Sequence, residues 1–399
     1  MIDAFFQTQN EKKKRVLLRG PVLTQSGYGV HARQVAKWLM SRPDLHVEIQ
    51  ALQWGDTPWL IDSGHDSGFV GQLMERTVDP GGNRYDVTVQ LQLPNEWDPK
   101  LGTVNIGMTA GVETDRCNPG WIEACNSMSA IVVPSSHVEN CLRTTGEVRV
   151  PLFVVPEAYS DAISLKEHSS IDDVDFSTPF NFLVFGQITG NNPENDRKNL
   201  FYTLKWLCEA FKTDESVGVI VKTNSGRNTC IDRHNVTHTL KGLLNEVRKG
   251  PFPKVHLLHG DMSDSEVASL YRHPKVKALV AATRGEGYGL PILEAAASGL
   301  PVIATRWSGH TDFLSHGRYI EIDYRLDAVH PTRIDGRIFV SGSKWAHPSE
   351  EDFKKRVTKF RFATDIPRQW AKDMAQVILP KYSLENVINT YNDTLKDFV

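Results

Sequence analysis

Short apolar runs alternate with amphipathic stretches along most of the chain, and this rhythm sets the expected architecture. In the first half, Arg15–Leu18, His46–Leu52, Tyr85–Leu93, Thr103–Met108, Ala130–Pro134 and Arg149–Val155 read as strands. Between the first two, Ser26-Gly27-Tyr28-Gly29 reads as a glycine-rich loop. Val30–Met40 then reads as a helix, with Val35, Ala36, Trp38 and Leu39 at helical spacing. Ser160–Thr178, with its acidic run Ile171-Asp172-Asp173-Val174-Asp175, reads as an interdomain linker or an exposed excursion. The pattern then restarts. Strands at Phe180–Phe185, Val217–Val221, Val255–Leu258, Val276–Ala281 and Pro301–Ala304 alternate with helices at Asn199–Phe211, Asp264–Tyr271 and Pro291–Ser298. Asp323–Glu351 reads as mostly irregular, and Leu384–Val399 as a closing helix. Such alternation predicts an α/β fold: two doubly wound, Rossmann-like parallel sheets facing across a cleft, with ligands at the carboxyl ends of their strands.

A length of 399 residues agrees with two domains. The net charge of −3 advertises no global attraction to nucleic acid or anionic membrane, although a local basic groove stays open. Cys117, Cys125, Cys141, Cys208 and Cys230 are odd in number and lack C-x-x-C spacing, which points to reduced, packed thiols. At the N-terminus an apolar patch precedes Glu11-Lys12-Lys13-Lys14-Arg15, the reverse of a signal peptide's order. The longest apolar runs are strand-sized. The expectation is a soluble, cytoplasmic protein without stable membrane association.

The segment richest in chemistry is Ala282–Gly299, ATRGEGYGLPILEAAASG, between a buried strand and a helix. Pro291 suits a first helical turn and Gly299 a left-handed cap. Gly287 and Gly289 leave the turn bare, so its amides can approach a phosphate at the helix N-terminus. Glu286 and Glu294 would repel that phosphate unless they serve its hydroxyl-rich neighbours, and sugar hydroxyls are such neighbours. A glycine-rich turn with solvated glutamates is the plainer alternative.

With this spacing, Glu286 to Glu294 resembles the E-x7-E signature of retaining family 4 glycosyltransferases of the GT-B fold. The resemblance implies an acceptor-side domain at residues 1–165, joined by the helix 384–399 crossing back, and a donor-binding domain at 178–375. It implies that Glu286 and the backbone of Gly287, Tyr288 and Gly289 hold the donor sugar, that Glu294 holds the ribose, and that Leu290 belongs to the donor-binding set. Lys198, within Arg197-Lys198-Asn199, matches the family's R-K-G-type lysine, whose charge neutralises the leaving diphosphate. Gln187 stands where the family has an arginine, which leaves Lys198 with Arg197 or Lys222. Ser26–Arg33 resembles the glycine loop facing the phosphates, through Gly27 and Gly29. A dinucleotide loop is its rival, but the next strand ends Leu52-Gln53-Trp54 without the acid such a loop requires. Leu258–Met262, with Gly260 and Met262, matches the segment lining the nucleotide base, and Trp307–Asp312 follows the next strand as a closing segment.

On the acceptor side the family's histidine is missing from Thr109–Asp115. Glu113 and Asp115 are the substitutes for orienting or deprotonating the acceptor, or else form a loop and cap cluster. Val133–His137 reads as a strand-ending turn, and His31 as a helix-face or loop histidine. His234 and His238 share helical spacing but lack a third ligand, so no catalytic metal is expected. The family likeness implies a UDP-sugar as the donor. It extends to phage-borne members, which makes double-stranded DNA carrying hydroxymethylated bases the first acceptor to consider. Lys354–Arg356 and Lys359–Arg361 would line a backbone groove or else be solvated helix faces. Polysaccharide or glycolipid acceptors, a nicotinamide-dependent oxidoreductase and a noncatalytic nucleotide-sugar-binding protein are the alternatives.

Overall fold

Val16, Leu17 and Leu18 expose no surface, as expected for consecutive residues of a parallel strand covered on both faces. The computed structural model describes residues 13–82, 84–165, 171, 174–187, 192–224 and 226–399. The N-terminal segment through Lys12, positions 166–170 and 172–173 of the Ser160–Thr178 stretch, and positions 188–191 lie outside the described residues.

The first sheet comprises β1 (Lys14–Gly20), β2 (Leu45–Ala51), β3 (Tyr85–Leu91), β4 (Gly102–Met108), β5 (Ala130–Val133) and β6 (Leu152–Val154). Its order is β2-β1-β3-β4-β5-β6, parallel throughout. The second comprises β7 (Phe180–Phe185), β8 (Val217–Thr223), β9 (Lys254–His259), β10 (Val276–Ala281), β11 (Val302–Thr305) and β12 (Ile320–Ile322). Its order, again parallel, is β12-β11-β10-β7-β8-β9. Both sheets reverse winding direction once, between β1 and β3 and between β7 and β10. Loops diverge at such switch points and leave a crevice there. These are two Rossmann-like domains in the GT-B arrangement.

Three expectations need correction. Ser26-Gly27-Tyr28-Gly29 is not a free loop, because Gly27–Met40 is one helix and the Ser26 hydroxyl accepts the Gly29 amide at 2.9 Å. Gly29 is required sterically, since a Cβ there would lie 2.1 Å from the Thr24 carbonyl oxygen. Among the described residues of Ser160–Thr178, Ile163, Ile171 and Phe176 are buried in the second domain's core, so the stretch is anchored rather than wholly exposed. Their apolar anchors are spaced too widely among acids to register as a pattern. Finally, Asp323–Glu351 holds an antiparallel hairpin of β13 (Tyr324–Ala328) and β14 (Lys344–Pro348).

The last helix, Leu384–Leu395, packs on the first domain. Tyr391 stacks on Trp38 at 4.8 Å, and the Trp38 indole donates to Asn392 at 2.8 Å. Where the chain passes between domains, Glu157 is buried with His31 and Tyr391 around it. His31 Nε2 meets the Tyr391 hydroxyl at 3.0 Å, and its Nδ1 lies 3.7 Å from the Glu157 carboxylate. Burial pushes Glu157 up to about 8 and His31 down to about 4, so both are neutral in mildly acidic solution. A carboxyl with a raised folded-state pKa stabilises the fold below its unfolded value and loses that contribution as pH rises through the folded one. Glu157→Gln is therefore expected to gain melting temperature relative to wild type between pH 5 and pH 8, then level off. Thermal denaturation across that range checks it, and a pH-independent difference would contradict it.

Candidate functional site

Arg197, Lys198 and Asn199 lead into the helix Leu200–Ala210, and local hydrogen bonds fix how they enter it. Asp196 accepts the Lys198 amide at 2.9 Å and the Leu200 amide at 2.6 Å, capping the helix start. Asn199 takes a left-handed conformation (φ 55°) and donates to the Ala282 carbonyl at 3.0 Å. The Arg284 amide donates to the Arg197 carbonyl at 2.8 Å. The loops after β7 and β10 are thereby clipped together, and both cations point at Glu286.

Glu286 is 7% exposed. Its carboxylate meets Lys198 Nζ at 2.7 and 2.9 Å and Arg197 Nη1 at 3.1 Å. Burial alone would raise its pKa, but the charges of Lys198 and Arg197 outweigh this and hold it at about 2. Its backbone amide donates to Ser308 Oγ at 2.8 Å, and its carbonyl accepts the Gly309 amide at 2.9 Å. Ser308 adopts φ 88°, a left-handed value uncommon outside glycine. His310 completes the support: its Nε2 lies 2.7 Å from the Thr305 carbonyl, and burial lowers its pKa, so the neutral ring donates there.

The turn Gly287-Tyr288-Gly289 follows, and the helix Leu290–Ala297 begins with Gly289 as its left-handed cap at φ 102°. Among the described residues, the amides of Gly287, Tyr288, Gly289 and Leu290 donate to no protein acceptor. Four bare amides at a helix start make an anion cradle. The Tyr288 side chain is turned away, its hydroxyl donating to the Glu157 carbonyl at 2.8 Å, so only its backbone faces the turn's open side. A small hollow open to solvent lies beside the turn, lined in part by Phe185, Lys198, Thr203, Glu286, Gly289 and Pro291.

Glu294 sits one turn into the helix, partly exposed, and accepts the Tyr271 hydroxyl at 3.2 Å. Burial raises its pKa to about 7, with Asp264 adding to the effect. Lys222, at the end of β8, donates to the Gly260 carbonyl at 2.5 Å and is lowered by burial to about 8. Gly260 has φ 110° and Met262 packs against the core of the second domain, so that segment is held by backbone geometry and one apolar contact. Gln187 bonds to the Asn224 carbonyl.

The first domain closes onto this turn. Ser135 Oγ donates to the Gly287 carbonyl at 2.6 Å, and the Ser136 amide donates to Asp312 at 2.7 Å. Glu113 reaches across to Arg197 Nε at 3.2 Å, so Arg197 is shared by a carboxylate from each domain. Asp115 is not part of this cluster. It accepts the Lys344 amide at 2.7 Å and faces β14. Gly27 and Gly29 lie in the first helical turn after β1, at the carboxyl end of the first sheet. The Glu113–Arg197 pair, the Ser308–His310 brace and Ser135 join segments far apart in sequence, so spacing could not reveal their partnership.

His234 and His238 are exposed on the helix Cys230–Val247. No cluster of three or more His, Cys, Asp or Glu able to hold a metal occurs among the described residues. No described helix is long and apolar enough to cross a membrane. In the basic stretches Lys355 and Lys359 are exposed, while three other cations are paired. Lys354 pairs with Glu209 and Glu350, Arg356 with Asp352 at 3.1 Å and Arg361 with Asp214 at 3.0 Å.

Residues 238–331 match the family described as Glycosyl transferases group 1. No curated protein matches the chain. Among solved structures, the chain is similar to sucrose-phosphate synthase from Thermosynechococcus elongatus, with TM-score 0.63 and 12% identity, over 96% of this chain and 99% of that one. It is similar to a glycosyltransferase from Rickettsia africae, with TM-score 0.62 and 13% identity, over 97% and 100%. A UDP-forming α,α-trehalose-phosphate synthase from Burkholderia xenovorans follows, with TM-score 0.60 and 10% identity, over 97% and 99%. At these identities the likeness establishes the fold.

Proposed function

We propose that this chain is a retaining glycosyltransferase that moves a sugar from a nucleotide-sugar donor, a UDP-sugar foremost, to a hydroxyl of an acceptor. The observation that carries this reading is the bare-amide turn at Gly287–Leu290 set beside Glu286, Lys198 and Arg197. The amides receive the diphosphate. Lys198 and Arg197 supply the counter-charge that stabilises it as it leaves. Glu286, ionised because two cations hold its pKa near 2, accepts hydroxyls of the donor sugar. Glu294 accepts the ribose hydroxyls, and the Gly260–Met262 segment faces the base. The counter-charge a divalent ion would otherwise bring comes from the two side chains, so turnover is expected to survive a chelator such as EDTA unchanged.

The Glycosyl transferases group 1 match over residues 238–331 supports this reading, because it contains the whole Glu286–Glu294 segment. The acceptor is left as a hydroxyl compound. Sugar phosphates come first for trial, since two similar folds are sucrose-phosphate and trehalose-phosphate synthases. Neither the family match nor the similar structures named above point to hydroxymethylated DNA, which stays in the trial as a second acceptor class. The test is incubation with a panel of nucleotide sugars, sugar phosphates and hydroxymethylated DNA, with mass analysis of every product. Release of nucleoside diphosphate with a glycosylated product or free sugar supports transfer; donor binding without turnover across the panel sinks it. For the ribose contact, Glu294→Ala is expected to weaken nucleoside-diphosphate binding by roughly 10-fold, as loss of hydrogen bonds to a charged group implies. Titration calorimetry checks that value, and unchanged affinity would remove Glu294 from the site.

A further inference from the structure

The hairpin of β13 and β14 belongs in sequence to the second domain, yet Val329 and Phe339 of its connecting loop pack into the first. Val329, Phe339 and Trp345 join a core cluster with Trp97, Val112 and Trp121 of the first domain. Trp345 has no exposed surface. Polar pegs reinforce this apolar seat. The Asp115 amide donates to the Lys344 carbonyl at 2.9 Å, and the Asp115 carboxylate accepts the Lys344 amide at 2.7 Å. Asn118 donates to the Gly336 carbonyl at 2.8 Å, and Arg337 pairs with Glu96 at 2.5 Å. At its root the hairpin grips the donor loop, because the Ala346 amide donates to the Arg284 carbonyl at 2.9 Å. Arg284 is itself buried between Trp345 and His347, 2.8 Å from the His347 ring nitrogen.

The loop after β4 is thus held on both flanks. On one side Tyr28 braces it, its hydroxyl 3.1 Å from Thr109 Oγ1 and accepting the Ala110 amide at 3.0 Å. On the other side the hairpin holds Asp115 and, through the shared cluster, Val112. Glu113 lies between these anchors, with its carboxylate 3.2 Å from Arg197. We propose that the Tyr324–Pro348 hairpin is a positioning element for the acceptor side of the reaction, pegging the loop through Asp115 so that Glu113 stays beside Arg197 where the attacking hydroxyl must arrive. Asp115 is then a positioning residue. Glu113 is the group that meets the acceptor, or water when none is present. This assignment rests on the glycosyl-transfer reading, whereas the pegging itself does not.

The experiment compares wild type, Asp115→Ala, Asp115→Asn and Asn118→Ala in the full-length protein. Three quantities are measured: affinity for whichever of UDP, GDP and ADP binds the wild type, hydrolysis of the corresponding glucose donor by water, and hydrogen exchange of the amides in 109–117. Asp115→Ala is expected to leave nucleotide affinity within about twofold and to slow hydrolysis by on the order of 10- to 100-fold, as small misplacements near a reacting centre do. Exchange in 109–117 should accelerate by at least about tenfold once the peg is lost. Asp115→Asn keeps the oxygen that accepts the Lys344 amide and should restore both quantities, and Asn118→Ala should fall between. Unchanged exchange in Asp115→Ala overturns the proposal. So does a parallel loss of nucleotide affinity and hydrolysis, which marks general support of the fold. If the wild type binds no nucleotide and cleaves no donor, the glycosyl-transfer reading fails, and the exchange arm alone still decides whether Asp115 pegs the loop.

Discussion

Lys198→Ala is expected to lower sugar transfer by on the order of 10²- to 10³-fold at saturating donor, with little change in acceptor KM. The charge on a departing nucleoside diphosphate is greatest in the transition state. A preorganised cation aimed at it therefore acts on kcat, and removing one such group costs that much. Lys198 is built for this role: Asp196 fixes its backbone, and the ammonium lies 2.7 Å from a carboxylate that is itself buried. In the free protein that carboxylate holds the lysine in place. On the proposed reading, a bound diphosphate would compete with Glu286 for the same ammonium and so couple donor arrival to release of Glu286 toward the sugar. Glu286→Gln is expected to reduce turnover by a comparable factor, because a neutral amide neither pairs with Lys198 nor accepts sugar hydroxyls as strongly. It also removes the acid-sensitive pair. Stability drawn from a carboxyl held near 2 is present above its unfolded value and lost as pH falls through the folded one. Denaturation of Glu286→Gln between pH 5 and pH 2 should therefore be less acid-dependent than that of wild type. Steady-state kinetics of both variants decide the matter, and wild-type turnover in both would discredit the site.

Gly287→Ala is expected to impair transfer severely, because the added methyl would meet the opposite domain. A Cβ at that position would lie 2.3 Å from the Ala110 carbonyl oxygen, a backbone atom of the opposite domain. Gly285 faces the same constraint, its Cβ position lying 2.4 Å from the Glu113 carbonyl oxygen. The methyl can be admitted only if the first domain backs away, carrying Glu113 from Arg197. Donor binding to the second domain should persist, while transfer falls by on the order of 10²-fold, since a displacement near 1 Å costs about that much. Calorimetry with nucleoside diphosphate and single-turnover transfer separate these effects. Full activity in Gly287→Ala would mean the two loops do not meet during catalysis.

The parallel sheets were legible because their strands are continuous apolar runs, as in β8, where every residue from Val217 to Thr223 is buried. The donor turn was legible because strand, glycines, proline and glutamates follow one another within a single segment. The hairpin was not. β13 carries one large aliphatic side chain, Leu326, and that residue is 44% exposed, so no alternation marks it. Its anchor Trp345 is buried against residues more than two hundred positions earlier in the chain, and such contacts leave no local period. Asp115 was grouped with Glu113 by proximity in sequence, yet the chain bends through 113–116, so that one carboxylate reaches Arg197 and the other the Lys344 amide. The buried Glu157 carried no signal either, because nothing around it in sequence distinguishes a covered glutamate from a solvated one.

The central claim is that the amides of Gly287, Tyr288 and Gly289 receive the donor's diphosphate. A crystal structure of the protein with an unhydrolysed nucleotide sugar tests it most directly. The expected result is diphosphate oxygens within hydrogen-bond distance of those amides, with the Lys198 ammonium turned from Glu286 onto them. Nucleotide sugar bound elsewhere, with that turn vacant and Lys198 still on Glu286, would contradict it.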